Sequence, residues 1–257
     1  MSTTVFSPGG YRYIPGVFQY SAGVAAESGY RIERIRFSRP LALAEGFRCI
    51  EQYVFAAQRP LAAFCSCELR SPEPFSESGF NSFNETYVDT LARWGIYDPV
   101  TKANPVARSN VCPEINKPAE PSIHAFCLTV PVEAAAPSFV ISGSAEAPEG
   151  KGSYGKFVIR PGDVSAAGLR EKARAVLGEM ERRMTQLGFG WRDTTATQIY
   201  TVHDIHAHFA QEIVHRGAAE HGLVWHFCRP PVVGLDYEVD CRAVHVEHVA
   251  AGLPRSV

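Results

Sequence analysis

The chain repeats itself. Phe18-Gln19-Tyr20-Ser21-Ala22-Gly23 opens one segment and Phe139-Val140-Ile141-Ser142-Gly143-Ser144 opens another, roughly 120 residues later. Each opening leads through a polar stretch into a long amphipathic run, a short β-rich run and a second helical run that ends at a glycine. These second runs close as Arg93-Trp94-Gly95-Ile96 and Glu220-His221-Gly222-Leu223, and two further strand-like segments follow each. A duplicated unit restricts the fold to two like halves, and halves that have diverged can divide one active site between them.

The element pattern predicts an α+β chain. Leu43, Phe47, Ile50 and Val54 recur at helical spacing within 41–58, and Leu61–Leu69 reads as a strand. In the second half, Ser165 to Leu187 is the long helix, with Glu171, Lys172, Arg174, Glu179, Arg182 and Arg183 on its wet face. Gly188-Phe189-Gly190-Trp191 breaks it, and Thr194–Val202 is the matching strand. The segment Val132–Pro137 is the natural junction, which divides the chain into 1–136 and 137–257. Each half then has a mixed sheet with two helices packed on one face.

Composition excludes several classes of partner. A formal net charge of −2 without a basic run cannot displace the counterions of a nucleic acid. No apolar stretch approaches the ~20 residues of a membrane span, and the first ten residues have neither a basic region nor an apolar core, so a cytoplasmic protein is expected. Seven cysteines, an odd number, suit free thiols in a reducing compartment, and Cys65-Ser66-Cys67 reads as alternate positions of a strand. His203-Asp204-Ile205-His206-Ala207-His208 crowds three imidazoles together, but the spacing does not put them on one helical face. A polar turn with Asp204 or a neighbour as helix cap is expected there, and no metal.

Three short motifs resemble the RidA-type reactive-intermediate deaminases. Gly79-Phe80-Asn81-Ser82-Phe83-Asn84-Glu85-Thr86-Tyr87 is similar to the family's second helix, and Pro105-Val106-Ala107-Arg108-Ser109-Asn110 to the strand that carries its carboxylate-binding arginine. Gly234-Leu235-Asp236-Tyr237-Glu238-Val239-Asp240 resembles the terminal strand with its water-activating glutamate. The resemblance spans nearly the whole chain and implies two tandem RidA-like (chorismate mutase-like) domains. It also implies sites in clefts between domains, and a homotrimer of tandem chains. Neither half is complete. Ala210 or Gln211 stands opposite Asn84, His226 (followed by Phe227 and Cys228) opposite Arg108, and His124 where the first half would need its acid. One working site shared by unlike halves, with Arg108 and Asn84 on one wall and Glu238 on the other, is the economical expectation. The cleft with reciprocal walls, His226 facing His124, is then silent.

The chemistry follows from the side chains. A guanidinium fork holds a carboxylate bidentately, so Arg108 orients an acidic substrate. An enamine tautomerises to an iminium, water attacks, and the carbinolamine expels ammonia. Glu238 is suited to take the water's proton and return it to the amine if burial raises its pKa. The backbone near Asn110 can stabilise developing charge. An iminium is already electrophilic, so no cofactor is required. The bland placements stay open: Arg108 in an interface ion pair, Asn84 as a helix cap, and Glu238 sent to solvent by simple strand alternation. His226 with Cys228 also resembles a nucleophile pair, though two residues sharing a strand face are not aligned for proton transfer.

Among relatives of this kind, a double-length chain looks most like bacterial deaminases of 2-aminomuconate or its chlorinated analogue in aromatic degradation. Such a mono- or dicarboxylate small molecule would place one end on Arg108 and the other on a second cation: Arg229, Arg242 or His226. The rivals are a non-catalytic small-molecule binding or regulatory protein and a chorismate-processing hydrolase of the same fold.

Overall fold

The computed structural model describes residues 2–134, 136–149 and 153–251, so residue 135 of the expected junction and both chain termini lie outside it. The order along the chain is β1 (Thr4–Phe6), β2 (Tyr11–Ile14), β3 (Gly23–Ala26), β4 (Tyr30–Ala42), α1 (Leu43–Ala56), β5 (Phe64–Arg70), α2 (Glu77–Arg93), β6 (Ala107–Pro113) and β7 (Ser122–Pro131). It continues with β8 (Phe139–Ala145), α3 (Ala166–Leu187), β9 (Ala196–Tyr200), α4 (His206–His208), β10 (Leu223–His226), β11 (Cys228–Arg229), β12 (Glu238–Ala243) and β13 (Val246–Ala250).

Two mixed sheets result, with strand orders β1-β2-β3-β8-β12-β9-β10 and β11-β6-β5-β7-β4-β13. Within them the same βαβαββ circuit occurs twice: β4-β7-β5-β6 in one sheet and β8-β12-β9-β10 in the other, each with one parallel pair, β5 with β6 and β9 with β10. The counterpart of β8 is therefore β4. The segment Phe18–Gly23, which sequence likeness pairs with Phe139–Ser144, instead runs into β3 and lies antiparallel beside β8. A short sequence match carried the polar residues but missed the register by one strand.

The outer strands cross between halves. β1 to β3 extend the sheet of the second half, whereas β11 and β13 join that of the first, where β13 pairs in parallel with β4. None of these edge strands has a local sequence signal strong enough to predict its partner.

The helices form where capping and periodicity ask for them. Ser76 and Ser165 cap α2 and α3 by accepting from the backbone N–H of Gly79 and Gly168, and Gly188 closes α3 in the left-handed region at φ 91°. The second helical run of the second half departs from expectation: α4 is one turn and continues as a π-helix over Phe209–Val214. Helices α1 and α2 bury Phe47, Ile50, Val54, Tyr87 and Leu91 against Phe64, Leu69 and Phe126. Helix α3 buries Val176, Leu177 and Met180 against Phe139, Ile199 and Val239. A third cluster, with Tyr11 and Val24 from one sheet and Ile32, Cys65 and Cys127 from the other, packs the two sheets together. All seven cysteines are free and buried.

Candidate active site

Strand β6 lies where the sheets meet, joined to β3 and β8 largely through hydroxyl groups. Arg108 N–H donates to Ser142 Oγ (3.0 Å), Ser142 Oγ donates to the Ser21 carbonyl (2.6 Å), and Gly143 N–H donates to Ser109 Oγ (3.2 Å). This junction opens into a narrow cleft. Tyr20, Phe80, Arg108 and Asn110 from the first half and Gly143, Ala147, Glu149, Tyr154, Leu235 and Glu238 from the second line it.

Arg108 is 2% exposed. Its Nη2 donates to Asn84 Oδ1 at 2.8 Å, while its Nε and Nη1 have no partner. The guanidinium sits 4.7 Å from the Tyr87 ring centroid and 5.2 Å from that of Tyr20. Cation–π contacts recover part of the cost of burying the charge, but the two free nitrogens leave it short of an anion. Asn84 is fully buried in the middle of α2, so it is no cap; its role is to hold this guanidinium. Asn110 accepts from Ser71 Oγ through its Oδ1 (2.9 Å) and keeps its Nδ2 unpartnered.

Glu238 enters the same cleft from the start of β12. It is 4% exposed, because β12 is a central strand covered on both faces, so simple alternation has no wet side to offer it. Burial, then Asp240, then Glu149 push its carboxyl well above the ordinary range, with Arg108 and Arg70 pulling the other way. The glycine at 143 makes room for it: a Cβ there would lie 2.1 Å from Glu238 Oε1. Sequence reasoning quoted Tyr20 and Gly143 without assigning them to the site, and it missed Glu149 and Tyr154. The Ser-Gly pair inside a strand pattern was the available signal for Gly143.

The start of β12 is held from behind. Buried Lys172 of α3 contacts Asp236 and Glu146 (3.3 Å to the latter), and Glu146 accepts from the backbone N–H groups of Asp236 (2.6 Å) and Tyr237 (3.0 Å). Placed on a wet helix face by its charge, Lys172 is instead fully buried.

His226 and Cys228 do not join the cleft. His226 stacks on Tyr200 (5.0 Å between centroids) and reaches Gln198 Oε1 at 3.2 Å, with its pKa lowered to about 4, first by burial and then by Arg70. Cys228 packs with Val111 and Tyr200, and burial raises its thiol to about 11, unsuited to a nucleophile. Arg229 pairs with Glu114 (2.9 Å) and Arg242 with Glu247 (2.6 Å), so neither supplies the second cation expected in the site. His124, on the strand that corresponds to β12, lies among Arg70, Glu68, Arg34 and His226, its pKa lowered to about 2, chiefly by burial. Among the described residues no His, Cys, Asp and Glu cluster could hold a metal, and Asp204 caps its turn by accepting from His206 N–H (2.9 Å).

The comparisons with known proteins bear on this arrangement. A family model described as "2-aminomuconate deaminase CnbZ" matches residues 3–248. The 2-amino-5-chloromuconate deaminase of Comamonas testosteroni is 52% identical over 247 residues, covering 95% of this chain and 98% of that protein. Solved structures are more distant. A chorismatase aligns over 90% of this chain and 79% of its own at 11% identity and a TM-score of 0.45, and the E. coli YjgF product over 42% and 80% at 17% identity and 0.30. With a family match across nearly its whole length, the chain belongs to the 2-aminomuconate deaminase family.

Proposed function

We propose that this protein is a hydrolytic deaminase that releases ammonia from a carboxylate-bearing enamine or imine, with 2-aminomuconate or a chlorinated analogue from bacterial aromatic degradation as substrate. The observation that carries the reading is the meeting of Arg108, from the first half, with Glu238, from the second, across one cleft. The carboxylate of the substrate binds the guanidinium of Arg108, whose donors are only partly used, and the Nδ2 of Asn110, which fixes the C–N carbon near Glu238. Glu238 takes a proton from the attacking water and returns it to the departing amine. The family relationship favours this reading over a non-catalytic binder or a chorismate hydrolase.

Three finer points belong to the same proposal. The site is divided between halves 1–136 and 137–257, so one ligand binds per chain. Trimers of the tandem chain are the assembly, because open sheet edges favour association. The protein works in the cytoplasm; among the described residues no helix is long and apolar enough to cross a membrane.

Glu238→Gln tests the central claim. The amide keeps the size of the side chain but cannot accept the water's proton, so ammonia release from 2-aminomuconate should fall by at least about 10²-fold while calorimetry still shows one dicarboxylate bound per chain. Ammonia release at the wild-type rate overturns the assignment, and pyruvate release from chorismate would replace it with the rival hydrolase.

A further inference from the structure

Strand β12 carries a second buried carboxylate that the proposed reaction leaves without a task. Asp240 is 4% exposed, and three donors converge on it: Ser109 Oγ (2.5 Å) and Tyr200 Oη (2.9 Å) on Oδ2, and Gln198 Nε2 (2.8 Å) on Oδ1. These three donors serve its ionised form, while burial and then the Glu68 carboxylate raise its pKa and Arg242 pulls it back. Ser109 is the link to the site: its Oγ accepts from Gly143 N–H, and the Cβ position at Gly143 that lies 2.1 Å from Glu238 Oε1 is 3.2 Å from Ser109 Oγ. Glu238 reaches Gly143 directly and Asp240 reaches it through Ser109.

The charges around Glu238 do not balance once substrate is in place. Asp240 faces it from its own strand, Glu149 and Tyr154 from the segment after β8, Arg108 and Cys112 from β6, Arg70 from β5, and Cys228 from β11. Arg108 is the one cation among the described residues lining the cleft, and a bound carboxylate neutralises it. Arg70 lies over the Tyr200 ring, 5.5 Å from its centroid, and Glu149 is paired with Arg183 at 2.9 Å. Beside Asp240, a second negative charge on Glu238 then has, among the described residues, only Arg70 to offset it.

We propose that Glu238 enters the cycle as the carboxylic acid and protonates the enamine carbon, and that Asp240 is the positioning residue whose fixed charge makes it do so. The inference rests on the deaminase reading and adds the tautomerisation step to the enzyme's work. Glu238 gives its proton to the carbon β to nitrogen, a C–H bond forms, the C=C pair shifts, and the nitrogen lone pair closes the iminium. Water adds to the iminium carbon and Glu238 takes its proton. Glu238 then protonates the amine of the carbinolamine, the C–N bond breaks and ammonia leaves. The proton of the remaining hydroxyl returns to Glu238 as the carbonyl forms, so enamine and water have become carbonyl compound and ammonia, with the acid restored.

Two measurements test it. In heavy water, with enzyme in excess and the product trapped by borohydride within one turnover, the wild-type protein should place deuterium on one face of the carbon β to the former nitrogen. Equal labelling of both faces overturns the proposal, even with ammonia release intact, and so separates its failure from that of the deaminase reading. In Asp240→Asn, which keeps the shape but removes the charge, the alkaline limb of the kcat profile should move to lower pH, by about tenfold in rate on that limb per unit moved, with KM little changed. An unmoved limb in a folded variant also overturns it. The labelling result needs no variant and stands if Asp240→Asn does not fold.

Discussion

Gly143→Ala is the most direct probe of the site's geometry. The added methyl would lie 2.1 Å from Glu238 Oε1, against a lower limit of 3.0 Å for real Cβ contacts, so the carboxylate must retreat by about 1 Å. A side chain buried in a central strand has little room for that, and overpacking of this kind costs about 1–3 kcal/mol of stability. The larger effect falls on the chemistry, because a displacement of about 1 Å from the reacting atoms costs about 10²-fold in rate. Arg108, Asn84 and Asn110 are untouched, so KM should change little while kcat falls by about 10²-fold. Ammonia release under saturating substrate gives kcat, and thermal melting separates misplacement from unfolding. A kcat within about threefold of wild type in a folded Gly143→Ala protein would refute the placement of Glu238 at the reacting carbon.

Arg108→Ala should raise KM by about 30- to 10³-fold, equivalent to about 2–4 kcal/mol, and Arg108→Lys should recover little of it because the ammonium lacks the fork; unchanged KM in both would make Arg108 structural. Lys172→Met leaves Glu146 and Asp236 without their buried cation and should cost about 3–5 kcal/mol, read by denaturant unfolding; a loss below about 1 kcal/mol would show that the triad does not hold β12. His226 is kept neutral by the fold, with a folded value of about 4 against an unfolded value of about 6.5. Its contribution is full above pH 6.5 and is lost as the pH falls from there toward 4, so His226→Gln should flatten the fall of the melting temperature across that window. Equal slopes would remove His226 from the acid response.

Local chemistry in the sequence determined much of this protein. The long helices are written in their own residues: apolar periodicity for α1, and for α3 the Ser165 cap and a Gly188 that takes the left-handed turn cheaply. Arg108, Asn84 and Glu238 stood out as candidates because few side chains can bind a carboxylate or move a proton; the structure brings Arg108 and Glu238 to one cleft, with Asn84 bonded to Arg108. What escaped depends on contacts between residues far apart in the chain. No local signal assigns β1–β3 to the sheet of the second half or β13 to that of the first, since edge pairing is decided by which backbone groups remain free after the central strands have paired. Burial had the same non-local origin. Lys172 looked wet and Glu238 had an exposed alternative, yet α3 carries the first onto Glu146 and Asp236, and a sheet covered on both faces leaves the second no solvent to meet. His226 and Cys228 resembled site residues by position in the repeat, but strand order packs them on Tyr200, outside the residues that line the cleft. The sequence determined which groups could do the chemistry; the packing of two sheets decided which of them meet.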